Sequence, residues 1–291
     1  MLKPLIERMR KMIKGSSSSR KAGGSTHGAY TEKTPRRTVL APHNYLCAVT
    51  DVGRVRSHNE DAFYLSEDGT VLIVADGMGG HEAGEVASAL AIEAISDFLV
   101  KQHPSGAEDS SDSLERGLVE SLEAAQHRVQ EASRGQETDR QMGCTVLLGY
   151  LQGEHLYTCH AGDVRCYVHS GGELHALTRD HSVVAALVAG GQLTADQARV
   201  HPQKNEVLQA IGMPYGVVPD VNSRELKAGD RLLLCSDGLW EALSDDEIEA
   251  VLGSDGSMRQ LATQLVDRAN AAGGPDNITV VLYEHRAREL R

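Results

Sequence analysis

The 291-residue chain predicts an α+β fold in which antiparallel sheets are covered by helices. Three observations carry that reading. From residue 41 onward, short apolar and often β-branched runs bounded by turn residues gather at the two ends of the domain. Long amphipathic helical patterns lie between and after them. The regular strand–helix alternation of a doubly wound sheet is missing.

Taken in order, residues 1 to 14 place Leu2, Leu5, Ile6, Met9, Met12 and Ile13 at helical spacing, with Lys3, Arg10, Lys11 and Lys14 mainly on the other side. This is the pattern of a short basic amphipathic helix, which would make a weak contact with an anionic membrane surface or a partner. A frayed tail that only carries charge is the preferred reading. Residues 15 to 40, with Ser16 to Ser19 and Gly23-Gly24, read as a disordered linker. Residues 1–40 are therefore expected to be an N-terminal extension and 41–291 the folded domain. Strands are expected at 45–52, 62–65, 71–75, 144–151, 154–160, 164–169, 231–236 and 278–283. Helices are expected at 82–100, 113–133 and 257–272; in the first, Val86, Leu90, Ala94 and Phe98 recur every fourth residue, and in the second Leu114, Leu118, Leu122, Ala125 and Val129 mark one face. Residues 181–222 read as a flap: two short helical stretches around Gly190-Gly191, then His201-Pro202 and a loop to Pro219. Insertions of this length in a compact domain usually act as lids or binding elements.

Composition narrows the class of protein. With 41% apolar and 24% charged residues the chain can bury a core. Its net charge of −12 is uneven: the first forty residues carry ten cations against two anions, a net of +8, which leaves −20 on the rest. So acidic a body repels nucleic acid over most of its surface and has carboxylates to spare for cations. The five cysteines are odd in number and contain no Cys-x-x-Cys pair, so neither a disulfide framework nor a zinc site is expected. With no run of 18 apolar residues and no signal-peptide core, the expected location is the cytoplasm and the expected state a monomer.

Candidate chemistry sits at strand ends. Two apolar runs end in Asp-Gly, Val71 to Ala75 before Asp76-Gly77 and Leu232 to Ser236 before Asp237-Gly238. Asn59-Glu60-Asp61 and Pro275-Asp276-Asn277 precede two more strands. Asp-Gly and Pro-Asp are common turn dipeptides, and any one of them alone reads as a turn. Four together weigh more, because carboxylates fixed at the mouths of core strands repel one another unless a cation lies among them. An all-oxygen donor set selects Mg²⁺ or Mn²⁺ over zinc.

Seven segments then carry a family resemblance: Arg56 to Asp61, Asp76 to His81, Gly143 to Thr145, Ala161 to Arg165, Leu177 to Ser182, Ser236 to Gly238 and Gly274 to Thr279. In this order, over residues 44 to 284, they resemble the motifs of the metal-dependent PP2C (PPM) protein serine/threonine phosphatases in their compact bacterial form. The resemblance implies a four-layer αββα sandwich, two central antiparallel sheets flanked by helices, with a small flap insertion. It implies that Asp76 bridges two Mn²⁺ or Mg²⁺ ions, that Glu60 and the main-chain carbonyl of Gly77 bind one, and that Asp237 and Asp276 bind the other. Asp163 would join Asp237 around a third, weaker ion, and Asp61 would orient water. Arg56 matches the arginine that grips the substrate phosphate, and His81 the general acid. Two ions would lower the pKa of a bridging water, whose hydroxide attacks phosphorus in line. The implied partners are phosphorylated protein substrates and an opposing Ser/Thr kinase. Val164, where serine is usual, and Cys144 depart from the pattern without touching a ligand.

Rival readings fare less well. Cys159 to Arg165 fits the Cys-x5-Arg spacing of cysteine-dependent phosphatases. That mechanism needs a loop opening a helix, whereas Val164 to Val168 reads as a strand, and Asp163 would repel phosphate. His58 and His160 read as structural, and His81 has the alternative role of capping the helix that starts near Glu82. A pseudophosphatase would lack a ligand, and none is missing; a di-metal nuclease would want a basic, aromatic groove.

Overall fold

A computed structural model describes residues 36–79, 82–102, 110–134 and 142–286. The amphipathic pattern at 1–14 and His81 lie outside them. The described strands are β1 (Arg37–His43), β2 (Leu46–Asp51), β3 (Ala62–Leu65), β4 (Val71–Met78), β5 (Gly143–Gln152), β6 (His155–Ala161), β7 (Arg165–Ser170), β8 (Glu173–Ala176), β9 (Asp220–Glu225), β10 (Arg231–Cys235) and β11 (Ile278–Glu284). The helices are α1 (Glu82–Gln102), α2 (Ser111–Arg134), α3 (Val183–Ala189), α4 (Ala195–Arg199), α5 (Asp237–Trp240), α6 (Asp245–Leu252) and α7 (Met258–Ala271). One sheet has the order β1-β2-β11-β10-β7-β8, the other β3-β4-β5-β6-β9. Every pairing is antiparallel.

The continuous apolar runs follow from burial on both faces. Side chains alternate across a strand. In β4, Val71, Ile73 and Ala75 face α1 and α2, while Leu72 and Val74 meet the opposite sheet. In β10, Leu232 and Leu234 enter the same inter-sheet layer, while Leu233 and Cys235 pack with Leu261 and Leu265 of α7. Three apolar layers between four layers of structure make the αββα sandwich. Helix α1 buries Val86, Leu90, Ile95 and Leu99; Ala94 and Phe98 of the expected stripe are only partly covered. Burying each of these larger side chains stabilises the fold by roughly 1.5–3 kcal/mol.

Four differences from expectation bear on the sheet edges and on the site. Residues 37–40 are not linker: they begin edge strand β1, where Arg37 Nε pairs with Asp51 at 2.7 Å. The flap ends earlier, because Asp220–Glu225 is edge strand β9, paired with β6. Asp76 lies within β4, which continues to Met78. Asp237 does not end a strand but opens the short helix α5.

Candidate metal centre and active site

The loop between β2 and β3 carries Arg56 and Glu60, and a layer of buried polar side chains holds it. Asn277 accepts from the Glu60 N–H at 2.8 Å and donates from Nδ2 to the carbonyls of Val52 and His58, each at 2.9 Å. The Glu60 carbonyl in turn accepts from Gly77 N–H (3.2 Å) and Ser88 Oγ (2.7 Å). Backbone approach here leaves no room for side chains. A Cβ on Gly77 would overlap the carbonyls of Gly84 and Glu60, and one on Gly84 would overlap Glu60 Oε2. Gly84, on the first turns of α1, is thus the floor on which the Glu60 carboxylate rests.

The carboxylates converge from both sheets. Ser236, N-cap of α5, donates from Oγ to Asp61 Oδ2 at 2.7 Å and accepts from Thr279 N–H at 2.9 Å. This one hydroxyl ties Asp61 to β11 and fixes the start of α5, where Asp237 stands. Asp76, in β4, lies opposite Thr145 of β5. Asp163 lies in the β6–β7 turn, its carbonyl accepting from Trp240 Nε1 at 3.0 Å. Asp276 precedes β11 and takes a 2.7 Å ion pair from Arg56 Nη2, whose side chain is half exposed.

Electrostatics shows how close these groups are. Burial first, then the charges of Asp61, Asp237, Asp163 and Asp276, hold the Asp76 carboxyl far above its ordinary range. Burial again, then Asp163, Asp276, Asp61 and Glu241, do the same to Asp237. Burial pushes Asp61 up to about 7 against the pull of Ser236, and burial with Asp180 pushes Asp163 up to about 6. Partial burial opposes the Arg56 charge, but Asp276, Glu60 and Asp237 more than restore it. Like charges do not gather under low solvation without a compensating cation. Two buried oxygens, Asp61 Oδ1 and Thr145 Oγ1, have no hydrogen-bond partner. An all-oxygen set with unspent acceptors fits hard divalent cations and the water they carry.

Sequence reasoning thus named Arg56, Glu60, Asp61, Asp76, Gly77, Asp163, Asp237 and Asp276, all of which meet at this cluster. It missed the supports: Gly84, Ser88, Ser236 as an anchor for Asp61, and Trp240. Only Ser236, next to Asp237 at the end of an apolar run, left a signal in the sequence. Cys159 is fully buried, and burial holds its thiol protonated, which removes the nucleophile from the cysteine-phosphatase reading. His160 is buried, its Nε2 against the Arg179 carbonyl at 3.0 Å and its ring stacked on His181 at 4.6 Å. His181 already accepts from Gly162 N–H and lies 3.2 Å from Asp220. Ligand atoms of His160, His181 and Asp220 lie within 4.8 Å of one another at the flap's root, and the buried His160 Nδ1 has no hydrogen-bond partner.

Comparison with known proteins agrees with this architecture. A family model described as protein phosphatase 2C matches residues 53–282. "Protein phosphatase PhpP" of Streptococcus pneumoniae is 38% identical over 238 residues, covering 80% of this chain and 94% of that protein. The crystal structure of the Mycobacterium tuberculosis serine/threonine phosphatase PstP/Ppp superposes with a TM-score of 0.74 at 37% identity, covering 83% of this chain and 98% of that one. A PstP catalytic domain in complex with two manganese ions gives 0.71 at 35% identity, covering 83% and 98%. The chain belongs to the protein phosphatase 2C family.

Proposed function

We propose that the chain hydrolyses phosphoserine and phosphothreonine in proteins, as a metal-dependent phosphatase of the PP2C type. The observation that carries this reading is the cluster itself: Asp61, Asp76, Asp163, Asp237 and Asp276, drawn from both sheets, where neighbouring carboxylates add to burial in holding the Asp76 and Asp237 carboxyls above their ordinary range, with Arg56 on its open side. Mn²⁺ or Mg²⁺ would be held by Asp76 as the shared ligand, with Glu60 and the Gly77 carbonyl on one side and Asp237 and Asp276 on the other. Asp163 with Asp237 would hold a third ion. When bound, the ions supply activation of water and neutralisation of phosphate charge.

The chain's own residues do the rest. Arg56 is half exposed and presents a planar fork that donates two parallel hydrogen bonds to phosphate oxygens. Its contact with Asp276 places that fork at the rim of the cluster. Asp61 Oδ1, buried and unpartnered, accepts a hydrogen bond from the attacking water and orients it. His81 is the proposed donor of a proton to the leaving alkoxide, worth roughly 10²–10⁴-fold. The partners would be phosphorylated proteins and an opposing Ser/Thr kinase, in the cytoplasm; no helix among the described residues is long and apolar enough to cross a membrane. The full chain should hydrolyse p-nitrophenyl phosphate and a phosphothreonine peptide with Mn²⁺ and lose both activities in EDTA. Turnover that ignores the chelator would sink the reading.

A further inference from the structure

Helix α3 is anomalous for its position. All seven of its residues, Val183–Ala189, are apolar, yet none is buried. A helix apolar all round is normally covered on every side. One side of α3, with Val184, Ala185 and Val188, instead walls a cavity of about 540 Å³, completed by Ala198 of α4, Tyr167 of β7 and Trp240 of α5. The opposite wall is the back of the carboxylate cluster, since Trp240 Nε1 donates to the Asp163 carbonyl.

The cations around this cavity are unequally engaged. Arg165 is held by both oxygens of Asp180, at 2.8 and 2.7 Å, and lies 3.7 Å over the Trp240 ring. Lys204 reaches both oxygens of Glu241 at 2.7 Å. Arg179 and Arg199 also line the cavity, are exposed and have no ion pair among the described residues. An apolar floor beside two unengaged guanidinium groups is complementary to a large apolar side chain with a carboxylate next to it.

We propose that this cavity is a docking subsite for the polypeptide flanking the phosphorylated residue. It takes a leucine-sized or aromatic side chain against α3 and sets a neighbouring Asp or Glu on Arg179 and Arg199. The inference rests on the phosphatase reading above and adds a substrate class to it: phosphoserine or phosphothreonine with an acidic-apolar pair a few residues away.

The test uses the full chain with Mn²⁺ and phosphothreonine peptides alike except for one dipeptide, Leu-Glu, Ala-Glu, Leu-Lys or Ala-Ala, placed on either side of the phosphothreonine. The expected result is about tenfold higher kcat/KM for a Leu-Glu peptide than for Ala-Ala, the size of discrimination that one pocket contact supplies. Ala185→Trp, which fills the cavity, should abolish the leucine preference. Arg179→Glu combined with Arg199→Glu should turn the acidic preference into a basic one. Hydrolysis of p-nitrophenyl phosphate, which carries no polypeptide, should be unchanged in both variants. Equal kcat/KM for all peptides with p-nitrophenyl phosphate turnover intact would overturn the subsite and leave the phosphatase reading standing. The subsite is equally overturned if Ala185→Trp instead dissolves a dimer and no peptide preference exists, which would put a second copy of the chain in the cavity. No Mn²⁺-dependent turnover of any substrate would bring both readings down.

Discussion

Glu60 shows how little of a site's precision resides in its ligands. Its carboxylate rests against Gly84, its N–H against Asn277 and its carbonyl against Gly77 and Ser88. Gly84→Ala is therefore expected to push the carboxylate off its position while leaving most of the core untouched. The expected outcome is a loss of more than tenfold in kcat at saturating peptide with a modest fall in stability, measured by steady-state kinetics beside urea denaturation. Sequence reading reached Glu60 through its place before a strand, but Gly84 looks like any glycine in a helical pattern. Its role is a tertiary approach between α1 and the β2–β3 loop, which spacing along the chain does not encode.

Among elements, legibility followed burial. Strands β2, β4, β5, β10 and β11 are interior members of their sheets, and their runs of Val, Leu and Ile were readable to within a few residues. Strands β1, β8 and β9, which were missed, are all sheet edges. Only one side of each is paired and much of each is exposed, so Arg37–His43 carries a proline and Asp220–Glu225 reads as polar loop. Helix α6 did leave a signal, the Ser244 and Glu247 capping box, and went unread because its eight residues fall short of a full amphipathic pattern. The corrected boundary of β1 changes a truncation experiment. Removal of residues 1–35 should leave phosphopeptide hydrolysis unchanged. Removal of residues 1–43 strips the edge from β2 along with the Arg37–Asp51 pair, and should lower the melting temperature by several degrees in a thermal scan.

Across the whole molecule, residues from 56 to 276 are brought to one place only when both sheets have paired and stacked. Antiparallel sheets covered by helices were legible in the apolar runs, and Glu60, Asp76, Asp237 and Asp276 in their place beside those strands; the four-layer arrangement, Asp61 and Asp163 were reached only through the family resemblance. The cluster's electrostatic tension was not legible, since that depends on burial. Asp61 at about 7 and Asp163 at about 6, both raised mainly by burial, retain protons in the folded state that the unfolded chain releases near 4. Folded pKa values above unfolded ones favour the fold at low pH and cease to as pH rises through them. The EDTA-treated protein is therefore expected to lose stability between about pH 4 and pH 7. Excess Mn²⁺ should flatten that slope, because it favours the ionised carboxylates; urea midpoints across that range, with and without Mn²⁺, check both statements.

The measurement that bears most directly on the carboxylate cluster as a metal-dependent catalytic centre is a Mn²⁺ titration of phosphothreonine-peptide hydrolysis by the full chain and by Asp237→Asn. That substitution keeps the shape of the side chain at the head of α5 and removes its charge. A metal-dependent centre at these carboxylates requires saturable activation of the native chain, and a variant folded to the same urea midpoint or higher that retains less than about one part in a hundred of the native rate. A variant that turns over at the native rate, or a native rate that does not respond to Mn²⁺, would contradict it.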